Sequence, residues 1–244
     1  MEKFASKSAI TKIQAVIIAV IVIIAAVAGV VYYLFSQAPV QAPEYIKIGF
    51  PTALSGIIGV FGEPVNWVVG MAEDIVNKDG GIYIADYGKK IPIKVIVRDC
   101  ESDPDLAASL AAELITKDKV DFMIAYTTPM ISVPVTAKCE QYSVPSVGWN
   151  LPMAMTEGGP YVWSFDSCWT ELENVLAYIE VWNSLGSKTN KRVAIIGDNT
   201  ADGQMWCPLI KTVSERKGYT VVDYSIAPVG TMDWTPYVLK WKDE

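Results

Sequence analysis

Residues 46–63 read IKIGFPTALSGIIGVFGE. The apolar run Tyr45 to Pro51 has the pattern of a buried strand. Gly56, Gly59 and Gly62 then punctuate a loop, and a helical pattern starts at about Pro64. Strand, glycine-rich loop and helix, in that order, open an α/β ligand or nucleotide site. The nucleotide version does not fit. The glycine spacing is G-x-x-G-x-x-G, not G-x-G-x-x-G. The nearest acidic strand-end residue, Asp99, lies 37 positions past Gly62, too far for a ribose-binding acid. The glycines therefore read as turn formers in a ligand loop.

Outward from this stretch, strand and helix patterns alternate. A helix after Glu63 carries Val65, Val68, Val69, Ala72, Ile75 and Val76 on one face and stops at Asp79-Gly80-Gly81. Residues 83–90 read as an insertion with a turn at Tyr87-Gly88, and Ile91–Arg98 as the second strand. Asp103-Pro104 starts a helix that runs to about Asp118 with Leu106, Leu110, Leu114 and Ile115 inward. Strands follow at 121–126, 145–148 and 161–165, with a helix to about Tyr142 between the first two. A second set begins near Thr170. It has a helix lined by Leu172, Val175, Leu176, Ile179, Val181 and Trp182, a strand at 192–197, a helix at 202–217, a strand at 219–226 and a helix from Asp233. Helices linking successive strands imply parallel, right-handedly wound sheets. Two such sets predict two Rossmann-like lobes, 45–168 and 169–244. The second, with about two strands, is expected to be incomplete and the chain a truncated copy of a longer protein.

Before the body, Ala15–Phe35 is 21 residues without a charge, about 31 Å of helix. This predicts a transmembrane helix over 13–35. It follows a basic leader, 1–12, placed in the cytoplasm by Lys3, Lys7 and Lys12, and precedes a proline-bearing linker, 36–44. Tyr32 and Tyr33 suit an interfacial belt. The apolar run is too long for an ordinary secretory signal. Residues 7–14, KSAITKIQ, resemble the pilin-like signal peptides of archaeal envelope proteins, cut near Ser8 or Ala9; an uncleaved anchor is the alternative. Either way the body lies outside the cytoplasm, on a single-pass protein of the cell membrane.

Charge narrows the chemistry. The leader carries a net +2 and the rest −9, so the acidic body argues against nucleic acid. The chain has no histidine and no paired base and nucleophile, which argues against an enzyme. Cys100, Cys139, Cys168 and Cys207 are spaced 39, 29 and 39 apart with no C-x-x-C, so neither a metal site nor a cofactor is expected. Buried thiols are the simple reading; one disulfide is the extracytoplasmic alternative. The acidic run Asp99, Glu101, Asp103, Asp105 reads as a solvated loop and helix cap.

In open parallel sheets the ligand sits beyond the carboxyl ends of the strands. Loops 52–63, 99–103, 126–130 and 148–153 meet there, and their side chains are aromatic, hydroxyl and amide. Phe61, Tyr126, Thr127, Thr128, Trp149 and Asn150 are the candidate contacts of the first lobe, and Asp202 of the second. Such groups stack on, and hydrogen-bond to, a small neutral or zwitterionic molecule.

The pieces IKIGFPTALSG, VFGE, VNKDGGI, GKKIPIKVIVRDCESDP, DFMIAYTTPMISVP, YSVPSVGWN, TEGGPYVWSF, KRVAIIGDNTADG and VGTMDWTPYVLK, in this order over Ile46–Lys240, carry a family likeness. The chain resembles the substrate-binding protein of a branched-chain-amino-acid-type ABC transporter, with the periplasmic-binding-protein type I fold. The resemblance implies an extracytoplasmic receptor that closes two lobes on a solute, delivers it to permease subunits and does no chemistry. It places Phe61 at the family's aromatic contact. Pro129 falls where a serine usually grips the ligand carboxylate, Asn150 and Pro152 near a usual threonine, and Asp202 where a tyrosine is common. The hydroxyl grip on a carboxylate is thus not plainly present, with Thr127, Thr128 or Asn150 as replacements. The family's cysteine pair is also missing, since those positions are Ser102 and Thr128. An envelope sensor of the same fold is the alternative reading.

Overall fold

A computed structural model describes residues 12–36, 41–156 and 159–242. The chain divides into two compact units, 1–42 and 43–244. In the first, helix α1 spans Lys12–Ser36. Its stretch Ile13–Tyr33, of mean hydropathy 3.1, is long and apolar enough to cross a membrane. The leader ahead of it and its cleavage motif lie largely outside the described residues, as do linker residues 37–40.

The second unit opens with β1, Ile46–Thr52, followed by α2, Val65–Lys78. A ribbon, β2 (Ile82–Ile84) and β3 (Lys89–Ile91), precedes β4, Ile93–Asp99. Then come α3 (Pro104–Glu113), β5 (Phe122–Ala125), α4 (Pro129–Tyr142), β6 (Ser146–Gly148), α5 (Met153–Thr156) and β7 (Ser164–Asp166). The remainder is α6 (Glu171–Ser184), β8 (Arg192–Asp198), α7 (Ala201–Arg216), β9 (Thr220–Ala227) and α8 (Thr235–Trp241). Among the described residues there are two parallel sheets, one of five strands in the order β4-β1-β5-β6-β7 and one of β8-β9. This is the α/β architecture that the alternating pattern predicts.

Register decides which side chains meet. Gly49 pairs with Met123, Met123 with Ser146, and Ser146 with Ser164, so these share one face. Helices α3 and α4 cover that face. Ala107, Ala111, Leu114, Met123, Ile131, Val135 and Cys139 are buried there together. A Cβ at Gly49 would sit 2.8 Å from the Met123 sulfur, so that side chain would have to shift to admit it. The second sheet has its own core, where Val175 and Ile179 of α6 meet Val213 of α7 and Tyr219.

Four expectations change. The second strand is not continuous from Ile91. Pro92, which has no N–H to continue a ladder, separates β3, antiparallel to β2, from β4, parallel to β1. The helix expected to reach Asp118 ends as a π turn, Leu114–Asp118, closed by Lys119 at φ 58°. Val181 is exposed because it lies two residues, about 200° round the helix, from buried Ile179. The apolar face of α2 is only partly covered, with Val68 45% and Ile75 65% exposed. Helix α2 packs on β4, and the same side of β5 to β7 stays open. There Ile48, Phe122, Ile124, Val147 and Phe165 line a groove of about 340 Å³.

Candidate functional site

The loop after β1 is held by a carboxylate. Asp99, at the end of β4, accepts the amides of Leu54 (3.0 Å), Ser55 (3.2 Å) and Glu101 (2.9 Å), and Ser55 Oγ donates to it at 2.7 Å. Burial works to raise the Asp99 pKa, but these donors together hold it below the usual carboxylate range. Ser102 Oγ donates to Ser55 O at 2.6 Å and accepts from the Ile58 amide at 3.2 Å. Gly56 sits at φ 83° under this clamp, where a Cβ would strike Glu101 O and Ser102 Oγ. The glycine is therefore needed for the turn and its close packing, as the spacing argument predicts.

The loop delivers Phe61, in a 3₁₀ turn at Gly59–Phe61, to an apolar cavity of about 240 Å³. Phe50, Pro64, Val65, Val68, Ile124 and Tyr126 line it with Phe61. Tyr126 continues the Phe122, Ile124 alternation, so its ring lies on the open side of the sheet. From there an aromatic row crosses the strand ends. Phe50 meets Tyr126 edge-on at 6.3 Å, Tyr126 meets Trp149 at 5.2 Å and Trp149 meets Trp169 at 6.0 Å. Edge-on contacts of this kind suit aromatic quadrupoles, with the positive edge of one ring on the negative face of the next.

Polar candidates lie on the next positions. Thr127, φ 129°, is 4% exposed, and its hydroxyl pairs with that of Thr52 at 2.7 Å. Its side chain joins β1 to β5 and is already hydrogen-bonded. Thr128 precedes α4, whose first turn closes through Ile131 and Ser132 amides onto Thr128 O. Asn150 adopts φ 53°, a left-handed conformation that asparagine tolerates. Its neighbour Trp149 is fixed by its amide on Ala125 O (3.1 Å) and by Ser132 Oγ on its carbonyl (3.1 Å). Thr128 Oγ1 and Asn150 Oδ1 are both buried and have no hydrogen-bond partner among the described residues. Buried polar atoms left unpaired are costly, so each of these two calls for a partner that the protein's own groups do not supply.

Asp202 belongs to the elements of the other sheet. It lies in the first turn of α7, which packs on α4. Burial and then the charge of Asp198 raise its pKa. The Met130 amide and the Thr128 hydroxyl pull it back, although neither completes a hydrogen bond to it. Asp198 is itself turned inward onto Thr200, whose amide (3.0 Å) and hydroxyl donate to Oδ1. Gly203 packs so closely on Asp198 that no side chain fits there.

Two residues of this region were not singled out from sequence. Trp169, which ends the aromatic row, stands in the link between the two sets of elements; an aromatic beside a lobe junction was the available signal. Asp166, at the end of β7, is half-buried, which raises its pKa. Cys168 N donates to Oδ1 at 3.3 Å; the amides of Asn150, Leu151 and Ser167 draw the pKa back without bonding Oδ2, which is buried and unpartnered. All four cysteines are free thiols, three of them buried. Among the described residues no group of His, Cys, Asp and Glu could hold a metal ion.

The first parallel sheet thus carries an aromatic and polar cluster at the carboxyl ends of its strands. Residues 45–244 match the family described as periplasmic binding protein, and the chain belongs to that family. The Leu/Ile/Val-binding protein homolog 3 of Brucella melitensis is 28% identical over 206 residues, 81% of this chain and 51% of that protein. The chain thus spans about half the length of the relatives it matches. The branched-chain amino acid binding protein LivJ of Streptococcus pneumoniae, solved with isoleucine, superposes with a TM-score of 0.64 at 24% identity, covering 82% of this chain and 54% of LivJ. A solute-binding protein of an R. palustris ABC transporter, solved with 4-hydroxybenzoate, gives 0.65 at 24%, covering 82% and 51%. At that identity the two likenesses concern the fold.

Proposed function

We propose that the protein is an extracytoplasmic solute receptor for an ABC importer, tethered to the cell membrane by α1. In this reading a small neutral or zwitterionic solute, an amino acid or an amide-like molecule, sits at the strand ends and is passed to permease subunits without chemical change. The observation that carries it is the corner itself: buried, unpaired Thr128 Oγ1 and Asn150 Oδ1 beside the Tyr126–Trp149–Trp169 row. Rings supply contact area at low entropic cost, and unpaired polar atoms supply direction. The relatives' names support the solute class: one is a Leu/Ile/Val-binding protein homologue, and the two solved structures hold isoleucine and 4-hydroxybenzoate. Phe61, Tyr126, Thr128, Trp149, Asn150 and Asp202 are the proposed contacts, with Thr127 shaping the floor from below. The proposed arrangement has the basic leader in the cytoplasm, a cleavable or uncleaved apolar helix in the membrane and the body outside.

A thermal-shift screen of amino acids, their amides and small aromatic acids tests this, because a ligand that binds only the folded state raises Tm. Mass spectrometry of what co-purifies with the protein identifies the native solute. Silence across the screen, with nothing co-purifying, would sink the reading.

A further inference from the structure

We propose that the solute carries an aromatic ring and that Trp169 selects for it, taking that ring as the next member of the edge-on row at the strand ends. The inference rests on the solute-receptor reading and names the substrate class of that site. The row is built from rings set nearly perpendicular to one another: Phe50 on Tyr126 at 76°, Tyr126 on Trp149 at 77° and Trp149 on Trp169 at 67°. Its first ring is anchored in the fold, since Phe50 is a buried side chain of β1. Its last ring is not. Among the described residues Trp169 meets one ring, that of Trp149, and it is 50% exposed. Rings that served packing alone would end against the protein, whereas this row ends open, in the link between β7 and α6. Trp67 and Trp234 are exposed too, but neither touches the row. Register puts the two indoles together. Gly148 of β6 pairs with Asp166 of β7, so Trp149 and Trp169 both follow the carboxyl ends of neighbouring strands, where a ligand meets an open parallel sheet. Their supports are fixed, because the Ser167 amide (3.0 Å) and hydroxyl (2.7 Å) both donate to Gly148 O, and the Trp149 amide donates to Ala125 O. An aliphatic group laid on Trp169 gains from area burial alone. An aromatic ring gains the same burial and, in addition, the edge-to-face attraction that the row already uses. Asn150, next in the chain to Trp149, keeps a buried acceptor, Oδ1, without a donor, so the ring-bearing solute is also expected to carry an N–H or O–H group.

The test uses pairs that differ only in the ring, phenylalanine with cyclohexylalanine and benzamide with cyclohexanecarboxamide. Each is titrated calorimetrically into the 244-residue chain in detergent. The aromatic member of a pair should bind about two- to tenfold more tightly. Cyclohexyl is the more apolar group, so burial alone predicts the reverse order. Trp169→Leu keeps an apolar surface but removes the quadrupole and should abolish the preference, whereas Trp169→Phe should retain most of it; Tm shows that each variant is folded. The wild-type ratio stands as evidence even if Trp169→Leu does not fold. Cyclohexyl members that bind wild type as tightly as their aromatic partners, or a ratio unmoved in folded Trp169→Leu, would overturn the inference and leave the receptor reading intact. No binding by any of the four also overturns the inference; if the wider solute screen is silent as well, the receptor reading falls with it.

Discussion

The hydroxyls of Thr52 and Thr127 meet at 2.7 Å, both residues buried, at the carboxyl ends of the neighbouring strands β1 and β5. Each satisfies the other where water does not reach. Thr127→Val or Thr52→Val leaves one hydroxyl orphaned and should cost about 1–3 kcal/mol by denaturant unfolding. The double variant should cost less than the sum, because both polar partners are then gone. An additive cycle would show that the pair is not coupled.

Gly56→Ala should destabilise by about 1–3 kcal/mol, since it adds strain at φ 83° and pushes a methyl into the Glu101–Ser102 clamp. Gly88 provides the control. It has φ 61° but open space around it, so Gly88→Ala should cost only about 1 kcal/mol from backbone strain. Equal losses would mean that the clamp contributes nothing beyond conformation.

Glu140 ties the last turn of α4 to the approach of β7, accepting the amides of Val162 at 3.0 Å and Trp163 at 2.8 Å. Burial works to raise its pKa, yet the Val162 amide, Ser164 hydroxyl and Trp163 amide hold it below the usual glutamate value. The folded value lies under the unfolded one. Its contribution is therefore present above about pH 4.3 and is lost as pH falls through the folded value. Glu140→Gln should lower Tm at pH 7 and flatten the Tm profile between about pH 5 and 3. A variant profile parallel to wild type throughout would count against this role.

Thiol labelling should separate the cysteines. Cys100, Cys139 and Cys207 are buried, and burial lifts the Cys139 thiol to about 12. Cys168 is partly exposed. At pH 8 a disulfide reagent should modify Cys168 first in the native protein and all four only after unfolding, and reductant should leave Tm unchanged. A native disulfide would show as fewer than four thiols in denaturant.

The alternation of strands and helices was legible because each element carries its own period, and parallel pairing follows from the crossover helices. Trp149 and Tyr126 could be placed at strand ends for the same reason. Thr127 could not be distinguished from Thr128, because adjacent hydroxyls in a loop look alike until one of them, at φ 129°, turns into the sheet and finds Thr52. Val68 and Ile75 suited a buried helix face by period alone, but period does not say whether anything lies against that face. Asp166 and Trp169 escaped notice because their role depends on β7 lying beside β6.

By itself the sequence determined the α/β class, an apolar helix long enough for a membrane, and the dismissal of a nucleotide loop on glycine spacing. Those are local properties, set by period, length and turn chemistry over a few residues. Only the tertiary structure decided that α7, with Asp202 in its first turn, packs on α4 and that Asn150 Oδ1 is buried unpaired. It also decided that β5 to β7 keep one apolar face open. Each of these depends on which residues, far apart in the chain, share a strand end or a face, and register and packing settle that.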